Sequence, residues 1–280
     1  MNDNVINIPD ISSGLEIVDD VWICKSRSSF SYPDSGNEFC FSIEEDSFWF
    51  KHRRNCIIEV IKKFSPKNNT LFDIGGGNGY VSESLTKEGI NTYLVEPGET
   101  GIKNAKNRGL KNLICSTFED ARFKRESLPS IGLFDVIEHI EDETKFLNSI
   151  RDYLIQGGRL YATVPAYNLL WSKDDVYAGH YRRYQRKELE NKLTKIGFTI
   201  NYSTYFFSFL PLPIFMFRKI QGMFKKNNGV DLQKYTEYHQ TNVNISNTFV
   251  QGICNMEIRW ISKLKRIPFG SSCIIVATVK

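Results

Sequence analysis

Between Asp73 and Gly79 the chain reads Asp-Ile-Gly-Gly-Gly-Asn-Gly, its most chemically specific stretch. Gly75, Gly77 and Gly79 carry no Cβ, so a ligand can come close to the main chain, and the helix that must follow offers unpaired N–H groups at its start. A dinucleotide-binding turn has the spacing G-x-G-x-x-G. Here Tyr80 stands where the third glycine belongs, which disfavours a pyrophosphate. The acid at Asp73 instead suits a ligand with a cationic amino-acid end. A plain glycine turn stays open as the alternative, because glycines close such loops in many unrelated proteins. Glu96 follows about 20 residues further on, where an acidic side chain can accept both hydroxyl protons of a ribose. Together the two features point to an adenosyl ligand.

Groups that move a proton near neutral pH are few: the histidines are His52, His139, His180 and His239. His139 comes just after a short apolar run, and His180 lies among Tyr177, Tyr181, Arg183 and Tyr184, which together offer acid–base chemistry, stacking and anion binding. Either histidine is a candidate base for a hydroxyl acceptor; capping or bracing a loop is the competing role for each. The six cysteines, at 24, 40, 56, 115, 254 and 273, form no C-x-x-C, and no histidine stands at zinc-finger spacing. They read as reduced thiols, and no metal is expected.

The elements that position these residues alternate between short apolar runs and amphipathic helices. Strands are expected at 71–74, 92–95, 113–115, 131–134, 160–164, 199–205 and 273–279, with helices at 81–87, 100–107, 142–155 and 186–195 between them. Gly89, Gly109, Gly157 and Gly197 follow those helices, where a left-handed cap favours glycine. An earlier helix covers 47–64, and residues before it read as irregular. The pattern predicts an α/β, Rossmann-like, doubly wound and mostly parallel seven-stranded sheet, with a helical insertion before a last antiparallel strand. The expected organisation is an N-terminal arm and helix over the cofactor site at 1–66, the sheet domain at 67–206 and 270–280, and an insertion at 207–269 that serves as acceptor lid or membrane-facing element.

The sequence resembles the class I S-adenosylmethionine-dependent methyltransferases. Asp73-x-Gly75-x-Gly77-x-Gly79 matches their first motif, Glu96 their ribose-binding acid, and Phe134-Asp135-Val136-Ile137-Glu138-His139 their fourth-strand segment. More narrowly, Val164-Pro165-Ala166-Tyr167 through Trp171-Ser172, Asp175 and Gly179-His180-Tyr181-Arg182-Arg183-Tyr184 is similar to a bacterial and archaeal subgroup associated with surface-glycan or lipid pathways. The resemblance implies S-adenosylmethionine as cofactor, with Asp73, Gly75 and Gly77 near its methionine end, Glu96 on the ribose, Thr117 and Phe118 at the adenine, and Phe134 lining the sulfonium. It also implies that Trp49, Phe50 and Arg53 face the cofactor, Arg53 pairing with the methionine carboxylate; core packing is the other reading of the two aromatics. Thr117 replaces an aspartate common in relatives, which removes a partner for the adenine amine. His180 or His139 would act as base, and Trp171, Tyr177, Tyr181, Arg183 and Tyr184 would hold the acceptor.

The formal charge is only +4 (36 Lys+Arg against 32 Asp+Glu), and the densest basic run is Lys225-Lys226, so nucleic acid is not an expected partner. With 41% hydrophobic residues the chain is too apolar to be disordered. Residues 1–13 lack a basic segment followed by an apolar run, so cytoplasmic location is expected. No charge occurs from 196 to 217, but Pro211, Pro213 and several polar residues interrupt that run, and Arg218, Lys219, Lys225 and Lys226 follow. A membrane span is not expected; peripheral contact through 206–226 is, unless those aromatics are core. The expected function is methyl transfer to oxygen on a small-molecule or lipid- or glycan-linked acceptor. A non-catalytic S-adenosylmethionine-binding subunit is the alternative, and a nicotinamide oxidoreductase lacks its glycine spacing.

Overall fold

A computed structural model of the chain describes residues 6–25, 34–211 and 247–280. The strands are β1 (Leu15–Val18), β2 (Val21–Cys24), β3 (Thr70–Ile74), β4 (Asn91–Val95), β5 (Leu113–Cys115), β6 (Leu128–Phe134), β7 (Leu154–Pro165), β8 (Phe198–Phe206) and β9 (Ser272–Val279). They form one nine-stranded sheet in the order β1-β2-β5-β4-β3-β6-β7-β9-β8. The seven strands β3 to β9 are those read from the sequence. Pairing is parallel from β2 through β7, while β9 lies antiparallel between β7 and β8.

The β1–β2 hairpin was not legible in the sequence. Its strands are four residues long, and its turn places Asp19 and Asp20 at φ 47° and 65° without a glycine to signal it. A two-residue turn of that hand needs both central residues left-handed. So short a hairpin is not stable by itself; it persists because β2 anneals onto β5, with Trp22 opposite Ile114 and Ile23 opposite Cys115.

The helices used below are α1 (Asp34–Ile43), α2 (Phe48–Lys63), α3 (Tyr80–Lys87), α4 (Glu99–Asn107), α5 (Glu143–Tyr153), α6 (Lys173–Tyr177), α7 (Arg186–Ile196) and α8 (Asn247–Ser262). Alternation along the strands divides the core between the two faces of the sheet. Phe72, Ile131, Leu133, Leu160, Ala162 and Ile275 meet Phe146, Leu147 and Ile150 of α5 and Leu189 and Leu193 of α7. Leu71, Tyr161, Ile274 and Val276 meet Ile57, Val60 and Ile61 of α2 and Ile261 of α8 on the other face. The helix expected at 142–155 stops at Tyr153, because β6 begins as early as Leu128 and recruits Leu154 as its partner.

Phe206 and Phe207 are fully buried, so this start of the aromatic run is core. Glu257 of α8 ties the run to α2: its carboxylate accepts from the main-chain N–H of Phe207 (2.8 Å) and Ser208 (2.6 Å) and meets His52 Nε2 at 2.8 Å. The rest of the aromatic and basic stretch, 212–226, lies outside the described residues. Among the described residues no helix is long and apolar enough to cross a membrane.

Candidate active site

The chain leaves β3 and turns outward through β4 and β5, then returns to place β6 on the other side of β3, so the strand order reverses between β3 and β6. Open α/β sheets bind ligands in the crevice outside the carboxyl ends at such a reversal. The glycine loop after β3, Glu96 after β4, Asp135 to His139 after β6 and Ala166 to Arg183 after β7 all open onto this edge. Gly75 brings the first and third together: a Cβ there would stand 3.0 Å from the Val136 side chain.

Gly75, Gly77 and Gly79 sit at φ 68°, 55° and 75°, a hand that side chains resist. Among the described residues a Cβ beside Gly77 would meet nothing nearer than Asn37 Oδ1 at 3.7 Å, leaving room for a ligand against the main chain. Glu96 is 6% exposed and accepts from the Gly77 N–H (Oε2, 2.9 Å) and the Gly98 N–H (Oε1, 2.9 Å). Burial raises its pKa against those bonds. A carboxylate has about four lone-pair sites, so acceptor capacity remains for hydroxyls. Asp73 is wholly buried; Ser82 Oγ donates to its Oδ2 at 2.6 Å, while Oδ1 has no hydrogen-bond partner. Burial pushes its pKa up to about 6, opposed by Ser82 and the Arg53 charge. An orphaned buried acid and an open glycine cradle fit a ligand carrying an ammonium group on an adenosyl body. Sequence reasoning missed Asn37, in a segment read as irregular; its main-chain oxygen accepts from Asn78 Nδ2 at 2.8 Å, which places α1 against the loop.

Several expected site residues are placed differently. The Phe118 ring is 5% exposed and packs on Phe123, Phe146 and Tyr153, so it belongs to the core; Thr117 is half-buried and its hydroxyl accepts from the Asp120 N–H at 3.1 Å. The Phe134 ring folds back over Gly132, leaving 6% exposed. Arg53 donates through Nη2 to Phe134 O (2.8 Å) and through Nε to Asp135, so its charge is already met by a carboxylate. That leaves less of it for a ligand carboxylate than the sequence implies. Half-buried Trp49 stacks on Phe207 at 5.7 Å, and half-buried Phe50 meets Tyr80 edge-to-face at 6.4 Å.

The loop after β7 carries the second half of the site. Asp175 of α6, 1% exposed, holds His180 Nδ1 at 2.8 Å and is clasped by Arg183 through Nε (2.8 Å) and Nη2 (3.0 Å), with the Ser172 N–H adding 2.7 Å. Burial would raise the Asp175 pKa, but the bonds from His180 and Arg183 outweigh it and hold the carboxyl down at about 2. The ring of His180 meets that of His139 edge-on at 4.7 Å. Burial, then the His180 charge, pulls His139 down to about 4, so it is neutral near pH 7. Tyr177 and Tyr181 are about half exposed at the rim, and Trp171 is half-buried.

Two acceptor expectations need correction. Arg183 is spent on Asp175 and offers no free cation for an acceptor. Tyr184 is 1% exposed, bridged to Ala166 by the backbone and bonded through its hydroxyl to Glu143, so it faces the core. Tyr184→Phe should lower the melting temperature by about 2–6 °C through loss of one buried hydrogen bond and leave acceptor KM unchanged; a raised KM at constant stability would restore its binding role.

With this geometry in place, comparison with known proteins is specific. A family model described as a methyltransferase domain matches residues 49–203, more than half the chain. The ubiquinone biosynthesis O-methyltransferase of Hydrogenovibrio crunogenus is 27% identical over 126 residues, 42% of this chain and 52% of that protein. The chain thus spans about half the length, or less, of the curated relatives it matches. Among solved structures, phosphoethanolamine N-methyltransferase 2 of Haemonchus contortus, bound to S-adenosyl-L-methionine, superposes with a TM-score of 0.53 at 17% identity, covering 92% of this chain and 61% of that one. The [4+2]-cyclase SpnF gives 0.58 at 13% identity, covering 90% and 99%. That the fold also carries a cyclase shows why likeness of fold alone does not set the chemistry. The family match adds what the fold cannot: the chain belongs to the methyltransferase-domain family, and its glycine–acid site fits S-adenosylmethionine.

Proposed function

We propose that this chain methylates a hydroxyl oxygen of a small-molecule or lipid- or glycan-linked acceptor. The observation that carries this reading is the Asp175–His180 pair with His139 beside it, at the same sheet edge as the glycine loop. When bound, S-adenosylmethionine supplies an electrophilic methyl group on a sulfonium. Asp73 meets the ammonium end and Glu96 the ribose hydroxyls, while Thr117, Trp49 and Phe50 line the cofactor side. Asp175 accepts from His180 Nδ1–H, which leaves Nε2 with its lone pair and steadies the imidazolium once a proton arrives. His180 Nε2 takes the acceptor's hydroxyl proton as oxygen attacks. His139, neutral beside it, adds no repulsion to that charge. Trp171, Tyr177 and Tyr181 form the acceptor's rim.

The curated relatives are named as O-methyltransferases, which supports oxygen as the acceptor atom. The resemblance of the loop at 164–184 to the surface-glycan and lipid subgroup supports the acceptor class. A lipid-bearing acceptor also suits the exposed side of α8 and the segment after it, where Met256, Trp260, Leu264 and Phe269 lie among the exposed cations Arg259, Lys263, Lys265 and Arg266. The enzyme would work at the cytoplasmic face, with 206–226 as the second contact, its first aromatics serving the core. The deciding experiment supplies methyl-labelled cofactor and extract of the source cells and identifies the labelled product: a methyl ether supports the reading, and label found only on nitrogen or carbon overturns it.

The cofactor site predicts a pH dependence. The folded pKa of Asp73, about 6, exceeds an ordinary aspartate's. Relative to an uncharged residue, its contribution to stability is therefore greatest below the unfolded pKa and declines as pH rises through about 6, by about 3 kcal/mol in total. A cationic ligand stabilises the carboxylate and reverses that cost. Cofactor affinity by calorimetry should rise with pH through about 6 and then level off, while Asp73→Asn should bind weakly with a flat profile. A flat profile in the wild type would remove Asp73 from the ammonium.

A further inference from the structure

The loop after β6 and the loop after β7 bring three ligand-type side chains to one point. One donor atom from each of Glu138, His139 and His180 lies within 4.8 Å of the other two. Glu138 is fully buried, and among the described residues neither carboxylate oxygen has a hydrogen-bond partner. Leaving such a group unsatisfied is costly even when it is neutral. The neighbouring acids have their cations: Asp135 is paired with Arg53 and Asp175 with Arg183. Among the described residues Glu138 forms no ion pair of its own; the charges of Arg53 and Arg183 reach it only from their pairs with those two acids. The imidazoles are arranged to complement it. Asp175 fixes the proton of His180 on Nδ1, so Nε2 presents a lone pair, the carboxylate–histidine arrangement that orients metal ligands. His139 is held by the Ala178 backbone, and its ring meets that of His180 edge-on at 4.7 Å.

We propose that Glu138, His139 and His180 bind one zinc-class divalent ion, with the fourth position of a tetrahedral site open towards the acceptor. Two imidazoles and one carboxylate with an open position is a catalytic zinc set. Bonds of about 2.0–2.1 Å require donors roughly 3.4 Å apart, so the side chains close inward on binding. The sequence reading expected no metal, because cysteine and zinc-finger spacings do not describe ligands drawn from two separate loops. The ion-binding claim stands without the methyl-transfer reading; only its consequence rests on it. An acceptor hydroxyl at the open position would lose its proton near neutral pH, as zinc-bound water does at about 7, the O–H bond breaking and the proton passing to water. His180 Nε2 then holds the ion in place of receiving that proton.

The full chain, stripped with chelator, is titrated with Zn²⁺ and separately with Co²⁺, with Mg²⁺ as the hard-cation control. Expected are one Zn²⁺ per chain, a visible Co²⁺ spectrum of tetrahedral type without a thiolate charge-transfer band, and no comparable Mg²⁺ binding. Glu138→Gln and His180→Ala should each weaken Zn²⁺ at least about 10-fold, with S-adenosylmethionine affinity of Glu138→Gln unchanged and its circular dichroism intact. No stoichiometric Zn²⁺, unchanged affinity in folded Glu138→Gln, or a thiolate band would each overturn the site. Zn²⁺ bound as expected, with no methyl group transferred to any hydroxyl, would leave the site standing and remove the function proposed above.

Discussion

Gly77→Val is expected to weaken S-adenosylmethionine binding at least about 100-fold, roughly 2.7 kcal/mol, with a much smaller fall in melting temperature. Gly77 holds φ at 55°, where a β-branched residue is strained, and the loop would resist that conformation by about 1–2 kcal/mol. The larger part is steric. Among the described residues a Cβ at Gly77 meets no wall closer than Asn37 Oδ1 at 3.7 Å, so the valine methyls extend into the space the cofactor needs beside the main chain. The Gly77 N–H also anchors Glu96 Oε2 at 2.9 Å, so a twisted loop would lose the ribose acid together with the cradle. Calorimetric titration of the variant, with its melting curve, separates the two contributions. Wild-type affinity in a folded Gly77→Val protein would mean that this loop is only a turn.

His180→Ala is expected to retain cofactor within a few-fold and lose at least about 10² in turnover. Asp175→Asn should lose less, because it keeps the imidazole but weakens its hold on Nδ1–H and leaves Arg183 without its carboxylate. Label transfer into cell extract is the readout. If Nε2 receives the acceptor's proton, added imidazole should restore part of the His180→Ala activity. If the residue acts by holding an ion, imidazole restores nothing and chelator silences the wild type. Normal turnover in His180→Ala with an inactive His139→Ala would exchange the two roles. Normal turnover in both would leave acceptor alignment alone as the source of rate.

The local chemistry of the first half of the site was legible because it is contiguous. Asp73 to Gly79 is a single turn, and Glu96 follows it at the end of the next strand, so spacing along the chain stands in for distance in space. The seven strands from β3 onward were legible for a similar reason: each contains a short apolar run ended by a turn, and β3, β5 and β6 are buried on both faces throughout. The β1–β2 hairpin carries no such signal, since what stabilises it is the edge of β5, more than 80 positions away in sequence.

Sequence determined which residue types were present at the crevice, but tertiary packing decided what each could still do there. Phe118, Phe134 and Tyr184 sit in motifs that suggest ligand contact, yet their rings turn into the core because a strand's alternation and its neighbours' volumes fix where a side chain points. Arg53 and Arg183 read as free cations; folding places Asp135 and Asp175 against them, and in a buried setting a paired charge is far cheaper than a lone one. Glu138 stood in the fourth-strand motif beside His139 with no chemical role assigned to it. Only the fold shows that it is fully enclosed, that its oxygens have no partner, and that His180 arrives from another loop to face it. Sequence could name the histidines, but the convergence of two imidazoles on a buried, unsatisfied carboxyl is a property of the loops after β6 and β7 lying side by side at the carboxyl edge, which no linear spacing encodes.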